Sequence, residues 1–65
     1  MYPNLRAEFA RKNLTQAYIS KRLGINTSTL NNKLKKGGFT LREAHKIKQI
    51  IGSDLPIEEL FKEDE

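Results

Sequence analysis

Glycines divide this sequence into short segments, and that division limits the folds it can adopt. Gly24, the pair Gly37–Gly38 and Gly52 each follow a segment that has two apolar residues four positions apart near its end. Apolar residues at this spacing share one face of an α-helix, and glycine accepts the left-handed conformation in which many helices end. Strand-like alternation of apolar and polar residues is absent. The pattern therefore predicts an all-α fold, a compact bundle of five short helices.

Capping residues and apolar faces place these helices, the first of them over about residues 4–12. The predicted caps and first-turn residues are Asn4, Thr15, Asn26, Thr40 and Pro56. Thr40 and Glu43, three residues apart, form the signature of a capping box. The apolar side chains predicted to face inward are Leu5, Phe9, Ile19, Leu23, Leu30, Leu34, Leu41, Ala44, Ile47, Ile51, Ile57, Leu60 and Phe61. Residues 62–65 are expected to fray.

The length of the chain limits how it can be stabilised. A chain of 65 residues forms at most one domain, and such a domain buries only about 60% of its unfolded surface. It has no cysteine for a disulfide, so apolar packing must supply the stability. No apolar run approaches the ~18–20 residues of a membrane span, and no secretory signal opens the sequence. We therefore expect a single cytoplasmic domain, residues 1–65, that has no membrane association.

Charge is distributed unevenly along the sequence. Residues 10–42 contain eight basic side chains and no acidic one, whereas residues 54–65 contain six acidic side chains and a single lysine. The whole chain carries a net charge of +4. A surface of one sign indicates a polyanionic partner such as a nucleic acid. Solubility is the simpler explanation for the same pattern.

The predicted third helix is built from residues that form helices poorly. These residues are Thr27, Ser28, Thr29, Asn31 and Asn32, and each costs roughly 0.5 kcal/mol relative to alanine. At 3.6 residues per turn, Leu30 and Leu34 define the buried side and Ser28 and Asn32 fall almost opposite. Hydroxyl and amide groups both donate and accept hydrogen bonds, as the edges of DNA bases do. The exposed face is therefore predicted to contact DNA bases, although small polar residues are also simply tolerated on solvent faces.

The segment LTQAYISKRLGINTSTLNNKL resembles the helix-turn-helix of phage repressor and Cro proteins, the XRE family. The matching features, in order, are Gln16, Ile19, Leu23, Gly24, Ile25 and Leu30. FTLREAHKIKQIIG resembles the family's fourth helix, and SDLPIEELF resembles its closing helix. The resemblance implies a fold of the lambda-repressor-like type with a central helix-turn-helix at about residues 15–36. It also implies transcription regulation, typically as a repressor, by a DNA-binding homodimer on a two-fold site.

The resemblance also implies roles for individual residues. Base-reading positions would be Thr27, Ser28 and Asn32, and phosphate contacts would come from Gln16, Lys21, Lys35 and Lys36. Lys33 stands where many family members are apolar, and the late apolar residue is Leu34 instead. This offset of one residue leaves open whether Asn31 or Asn32 is the main base reader.

Ser20 replaces the family's usual alanine, so its hydroxyl needs a partner. The surface that joins two copies is placed, by elimination, at about residues 50–61.

Other functions find less support in the sequence. His45 is the only histidine in the sequence. Glu58 and Glu59 are adjacent to each other, so on a helix their side chains point in different directions. The sequence therefore offers no acid–base pair that would suggest an enzyme. No metal-ligand spacing or phosphate-binding glycine loop is present, so no cofactor or small-molecule substrate is implied. The main alternative is a helical module that binds a protein partner, such as an antitoxin or a phage accessory protein. Its apolar surface would consist of Met1, Tyr2, Ile50 and Phe61.

Overall fold

The computed structural model describes residues 1–64, and over this range the fold is all-helical, as predicted. Its five helices are α1 (Pro3–Arg11), α2 (Gln16–Leu23), α3 (Thr27–Lys36), α4 (Leu41–Ile51) and α5 (Ile57–Leu60). Helix α2 packs against α3 and α4, and α5 packs against α1 and α4. Within the described range, no helix has both the length and the apolar character needed to cross a membrane.

The start of α1 differs from the prediction that Asn4 caps it. Pro3 is the first helical residue, and Tyr2 before it adopts a left-handed conformation with φ 60° and makes no side-chain cap. Proline lacks an N–H and already holds a helical φ, so the helix can begin there without a capping side chain. The Asn4 side chain instead donates a hydrogen bond to the Glu59 carbonyl at 2.7 Å, which ties α1 to α5.

The predicted boundaries of α2, α3 and α4 are confirmed by their caps. Thr15 Oγ1 accepts a hydrogen bond from the Tyr18 N–H at 3.1 Å, and Gly24 ends α2 with φ 78°. Asn26 occupies the N-cap position of α3, although its side chain makes no capping hydrogen bond. Thr40 and Glu43 form both hydrogen bonds of the capping box at the start of α4.

Leu41 was predicted to face the core, and this prediction is wrong. Its side chain is 68% exposed, whereas Ala44, Ile47 and Ile51 on the same helix are buried. Leu41 is the first residue of α4 and lies at the edge of the helix's apolar stripe rather than at its centre. The short helix α5 does not cover it, so a large apolar side chain is left in solvent beside α5.

The core is formed by one set of apolar side chains from all five helices. The members that are fully buried are Leu5, Ile19, Leu30, Leu34, Ile47 and Leu60. Ile57 and Phe61, predicted to face inward, are partly buried. Tyr2 is buried and belongs to this core. Residues 62–64 follow α5 without regular structure, and Glu65 lies outside the described residues.

A buried carboxylate joins α1 to the connection between α4 and α5. Glu8 is 4% exposed, and its carboxylate accepts hydrogen bonds from Arg11 Nε at 2.7 Å and from Ser53 Oγ at 2.6 Å. Ser53 Oγ in turn accepts from the Leu55 N–H at 3.1 Å. The Arg11 side chain, and next to it the Ser53 hydroxyl, lower the pKa of Glu8 to about 2 against the opposing effect of burial.

Acidification is therefore expected to weaken the fold through Glu8. A carboxyl whose pKa is lower when folded contributes stability above its unfolded pKa and loses it as the pH falls towards the folded value. The free energy of unfolding should decline between about pH 5 and pH 2, and Glu8→Gln should make that decline shallower. Urea unfolding at a series of pH values measures this, with Glu58→Gln at an exposed position as the charge-matched control. An equal decline in the parent and in Glu8→Gln would contradict the assignment.

Candidate nucleic-acid interface

Helix α3 presents its small polar residues to solvent. Leu30 and Leu34 are both 0% exposed, and they fix the rotation of the helix against the core. Ser28 and Asn32, on the opposite side, are exposed, as the helical periodicity predicted. Asn31 is partly buried, so of the two asparagines Asn32 is the more accessible. The exposed face of α3 is thus accessible, and neither the protein's own core nor the acidic residues that the structure describes, up to Asp64, cover Ser28 and Asn32.

A hydrogen-bonded pair of hydroxyls joins α2 to α3. Ser20 Oγ donates to the Ala17 carbonyl at 3.0 Å and lies 3.0 Å from Thr27 Oγ1. Because the Ser20 proton is already engaged, the Thr27 hydroxyl donates to Ser20. This contact supplies the partner that the Ser20 hydroxyl requires. It also uses the only proton of the Thr27 hydroxyl. Thr27 remains exposed, so it can offer a ligand the hydroxyl oxygen as an acceptor and its methyl group.

The basic candidates for phosphate contact stand at the ends of α2 and α3. Lys21, Lys35 and Lys36 are exposed, and Gln16, the first residue of α2, is partly buried. The ion pairs found among residues 1–64 join Glu8 to Arg11, Glu43 to Lys33, and the amino terminus to Asp64. None of these pairs includes the three candidate lysines.

Lys33 has an internal role that explains its place in the sequence. Its Nζ lies 3.1 Å from Glu43 Oε1 and donates to the Gly38 carbonyl, also at 3.1 Å. The ammonium group is also 5.8 Å from the centre of the Phe39 ring. Lys33 therefore connects the end of α3 to the start of α4, and an apolar side chain is not needed there. The apolar anchor of this turn is Leu34, which is fully buried.

The two acidic residues that border the acid-free segment both have basic partners. Glu8 is buried against Arg11, and Glu43 receives the Thr40 N–H at 2.9 Å in addition to the Lys33 ammonium. The backbone hydrogen bond from Thr40, and after it Lys33, lower the pKa of Glu43. Both carboxylates are thus neutralised locally by Arg11 and Lys33, and the other six basic side chains of residues 10–42 lie outside the ion pairs found among residues 1–64.

Arg22 on α2 is exposed and was not among the predicted site residues. The Arg22 guanidinium lies 5.9 Å from the centre of the Tyr18 ring, and both residues project from α2. Their spacing of four in the sequence was the signal available, because residues four apart are neighbours on a helix. Thr29, beside Ser28, is also exposed.

The described residues contain no grouping of three or more histidine, aspartate or glutamate side chains that could hold a metal ion. Every buried side-chain nitrogen or oxygen in this range has a hydrogen-bond partner. Comparison with protein-family models, with curated proteins and with solved structures gives no significant match.

Proposed function

We propose that this protein binds double-stranded DNA with sequence preference, as a transcription regulator of the repressor and Cro type. In this proposal the fold is lambda-repressor-like, residues 15–36 form the helix-turn-helix, and α3 enters the major groove. The observation that carries the proposal is the two-sided character of α3. Two fully buried leucines anchor one side, while Ser28 and Asn32 on the other side are open to solvent.

The dimensions and chemistry of α3 support this proposal. The helix has 10 residues, which corresponds to about 15 Å in length, and the major groove is about 12 Å wide and admits one helix. Amides and hydroxyls match the donors and acceptors of base edges. Asn32, Ser28 and Thr27 are proposed as base readers, with Asn31 in a lesser role because it is partly buried.

Phosphate contacts are proposed to come from residues around α3 rather than from its centre. Gln16 at the start of α2 would position the helix pair, and Lys21, Lys35 and Lys36 would meet phosphates on either side of the groove. Such contacts supply affinity and register but carry no sequence information. Selection of bound oligonucleotides from a random duplex pool tests the whole proposal, because a sequence-reading protein enriches one motif.

Salt is expected to weaken DNA binding steeply, and Lys36→Ala should reduce that dependence. Each neutralised phosphate contributes about 0.9 to the slope of log affinity against log salt concentration, so loss of one contact lowers the slope by about one. Fluorescence anisotropy on random and preferred duplexes at several salt concentrations measures both quantities. Lys62→Ala, an exposed lysine among the acidic residues, is the matched control and should leave the slope unchanged. An unchanged slope in Lys36→Ala would remove Lys36 from the phosphate contacts.

The second candidate function is binding of a protein partner. It is favoured by one observation, a solvent-open apolar groove between α4 and α5. The two candidate functions predict different retention on random duplex DNA at low salt. A DNA-binding protein should be retained, because counterion release makes even non-specific DNA binding strong at low salt. No retention of the protein on random duplex DNA at about 50 mM salt would favour the protein partner.

A further inference from the structure

An open groove of about 260 Å³ lies between the start of α4 and the carboxyl-terminal part of the chain. The lining residues that matter here are Tyr2, Phe39, Leu41, Ile57, Phe61 and Glu63. Most of the lining is apolar or aromatic, and Glu63 is the only lining residue that carries a charge at neutral pH. The groove therefore combines an apolar surface with a single negative charge.

Three aromatic rings give the groove a fixed shape. The ring centres of Tyr2, Phe39 and Phe61 lie 5.3 to 5.7 Å apart, and their planes are inclined to one another by 59° to 76°. Tilted and edge-to-face contacts at these distances are favourable arrangements for aromatic pairs. Tyr2 is buried, so the ring cluster is anchored in the core and is in place before a ligand arrives.

The ring cluster already interacts with one cation of the chain. Lys33 Nζ lies 5.8 Å from the centre of the Phe39 ring, within the range of about 6 Å in which the electron-rich face of a ring attracts a cation. Glu43 and the Gly38 carbonyl hold this ammonium group, and Lys33 is not part of the groove lining. The rings that line the groove are therefore surfaces suited to a second cation.

Glu63 adds a negative charge beside these rings. Its side chain is exposed and takes part in none of the ion pairs found among residues 1–64. Burial raises the pKa of the Tyr2 hydroxyl, and the charge of Glu63 raises this pKa further, against the lowering effect of the hydrogen bond with the Gly38 backbone. The carboxylate thus acts directly on the aromatic cluster, and together they favour a ligand that is both cationic and apolar.

The volume of the groove matches a small molecule. A water molecule takes about 30 Å³ in the liquid, so at a similar volume for each non-hydrogen atom the groove holds roughly nine of them. One aromatic ring with a short aminoalkyl chain has this size. A standard protein interface covers about 800 Å² on each partner, so a protein would extend well beyond the groove, whereas such a molecule would fill it.

We propose that this groove binds a small primary amine that carries one aromatic ring. Its ammonium group would pair with the Glu63 carboxylate, and its ring would lie against Phe61 and Leu41. Leu41 is 68% exposed, and an exposed leucine that continues an apolar groove marks a contact surface that a ligand can cover. The inference goes beyond the proposed DNA binding and does not rest on it, because no lining residue belongs to α3.

Titration with phenethylamine, followed by proton–nitrogen correlation NMR of the whole chain, tests the proposal. This amine is protonated at neutral pH, as the lysine side chain is. The amide signals of Leu41, Ile57, Phe61 and Glu63 should shift and saturate with a dissociation constant of about 0.1–10 mM. Phenethyl alcohol, which has the same shape and no charge, should bind about two- to fivefold more weakly. Phenylacetate, which has the opposite charge, should bind more weakly still.

Substitutions separate the charge of the groove from its apolar surface. Glu63→Gln should raise the dissociation constant of the amine about two- to fivefold and leave that of the alcohol unchanged. Glu58→Gln, at an exposed position outside the groove lining, is the matched control and should change neither. Leu41→Ala should weaken binding of the amine and the alcohol alike. Circular dichroism checks that each variant remains folded, which is expected because all three side chains are exposed.

Three results would overturn the proposal. They are the absence of saturable shifts up to tens of millimolar amine, equal affinity for the amine and the alcohol, and an unchanged affinity for the amine in Glu63→Gln. DNA binding is measured separately on the same chain. Amine binding without DNA binding would leave this site in place and remove the proposed function, and the reverse result would do the opposite.

Discussion

Replacing Leu30 by alanine is expected to lower the free energy of unfolding by about 2–5 kcal/mol. Leu30 is completely buried in the middle of α3, so the change removes apolar contacts and leaves a cavity between α3 and its neighbours. The loss is large relative to the ~5–15 kcal/mol that stabilises an ordinary domain. Urea unfolding followed by circular dichroism measures it, and the midpoint should fall with little change in slope.

Thr29→Ala is the matched control for this experiment, because Thr29 precedes Leu30 on the same helix and is exposed. Alanine is the better helix former by roughly 0.5 kcal/mol, so this variant should be equal to the parent or slightly more stable. Similar losses in the two variants would mean that Leu30 does not anchor α3, and the orientation of its polar face would then be wrong.

Asn32→Ala is expected to change stability and binding in opposite directions. Under the proposed function, the variant should weaken binding to the preferred duplex by about 1–3 kcal/mol and relax the sequence preference at one position, because the proposed contact of the amide with a base is lost. The same change should raise the free energy of unfolding by up to roughly 0.5 kcal/mol, since asparagine is a poor helix former. Anisotropy titrations against preferred and altered duplexes, together with urea unfolding, measure the two effects.

Asn31→Ala provides the comparison for Asn32→Ala, because the two residues are neighbours of the same type that differ in exposure. We expect the larger loss of sequence preference from Asn32. An equal loss of affinity for all duplexes in Asn32→Ala would show that this side chain does not read bases. If Asn31→Ala changes the DNA sequence preference more than Asn32→Ala does, then Asn31 rather than Asn32 is the main base reader.

The helices could be predicted from the sequence because their ends depend on local chemistry. Thr15, Gly24, Thr40 and Gly52 act within one turn of their own position, and the structure has each of them where its helix begins or ends. The beginning of α1 was missed because a proline in the first turn removes the need for a capping asparagine.

The misplaced core residue shows where periodicity fails. Leu41 has the correct spacing to Ala44, but spacing alone does not say how far along a helix its neighbours extend. Leu41 lies at the edge of the apolar stripe, and the packing of α5 against α4, which involves residues distant in sequence, leaves it uncovered while Ala44 is buried. Positions at the first turn of a helix are therefore less predictable than those in its middle.

Some features of the candidate interface could likewise be predicted from the sequence, and others could not. The exposure of Ser28 and Asn32 follows from helical geometry once Leu30 is buried, and it was predicted correctly. The engagement of Lys33 with Glu43 and of Thr27 with Ser20 depends on contacts between different helices. Sequence alone supplies the composition of a surface, whereas the hydrogen bonds that restrict its side chains require the assembled fold.

The hydrogen bond between Ser20 and Thr27 has a consequence for how α2 and α3 meet a ligand. Because the hydroxyl groups hold the first turn of α3 to the middle of α2, they restrict the movement of the two helices relative to each other. Little ordering of α2 and α3 relative to each other is left to occur at docking, so the entropic cost of association is reduced. The same hydrogen bond limits how far α2 and α3 can adapt to the shape of a ligand.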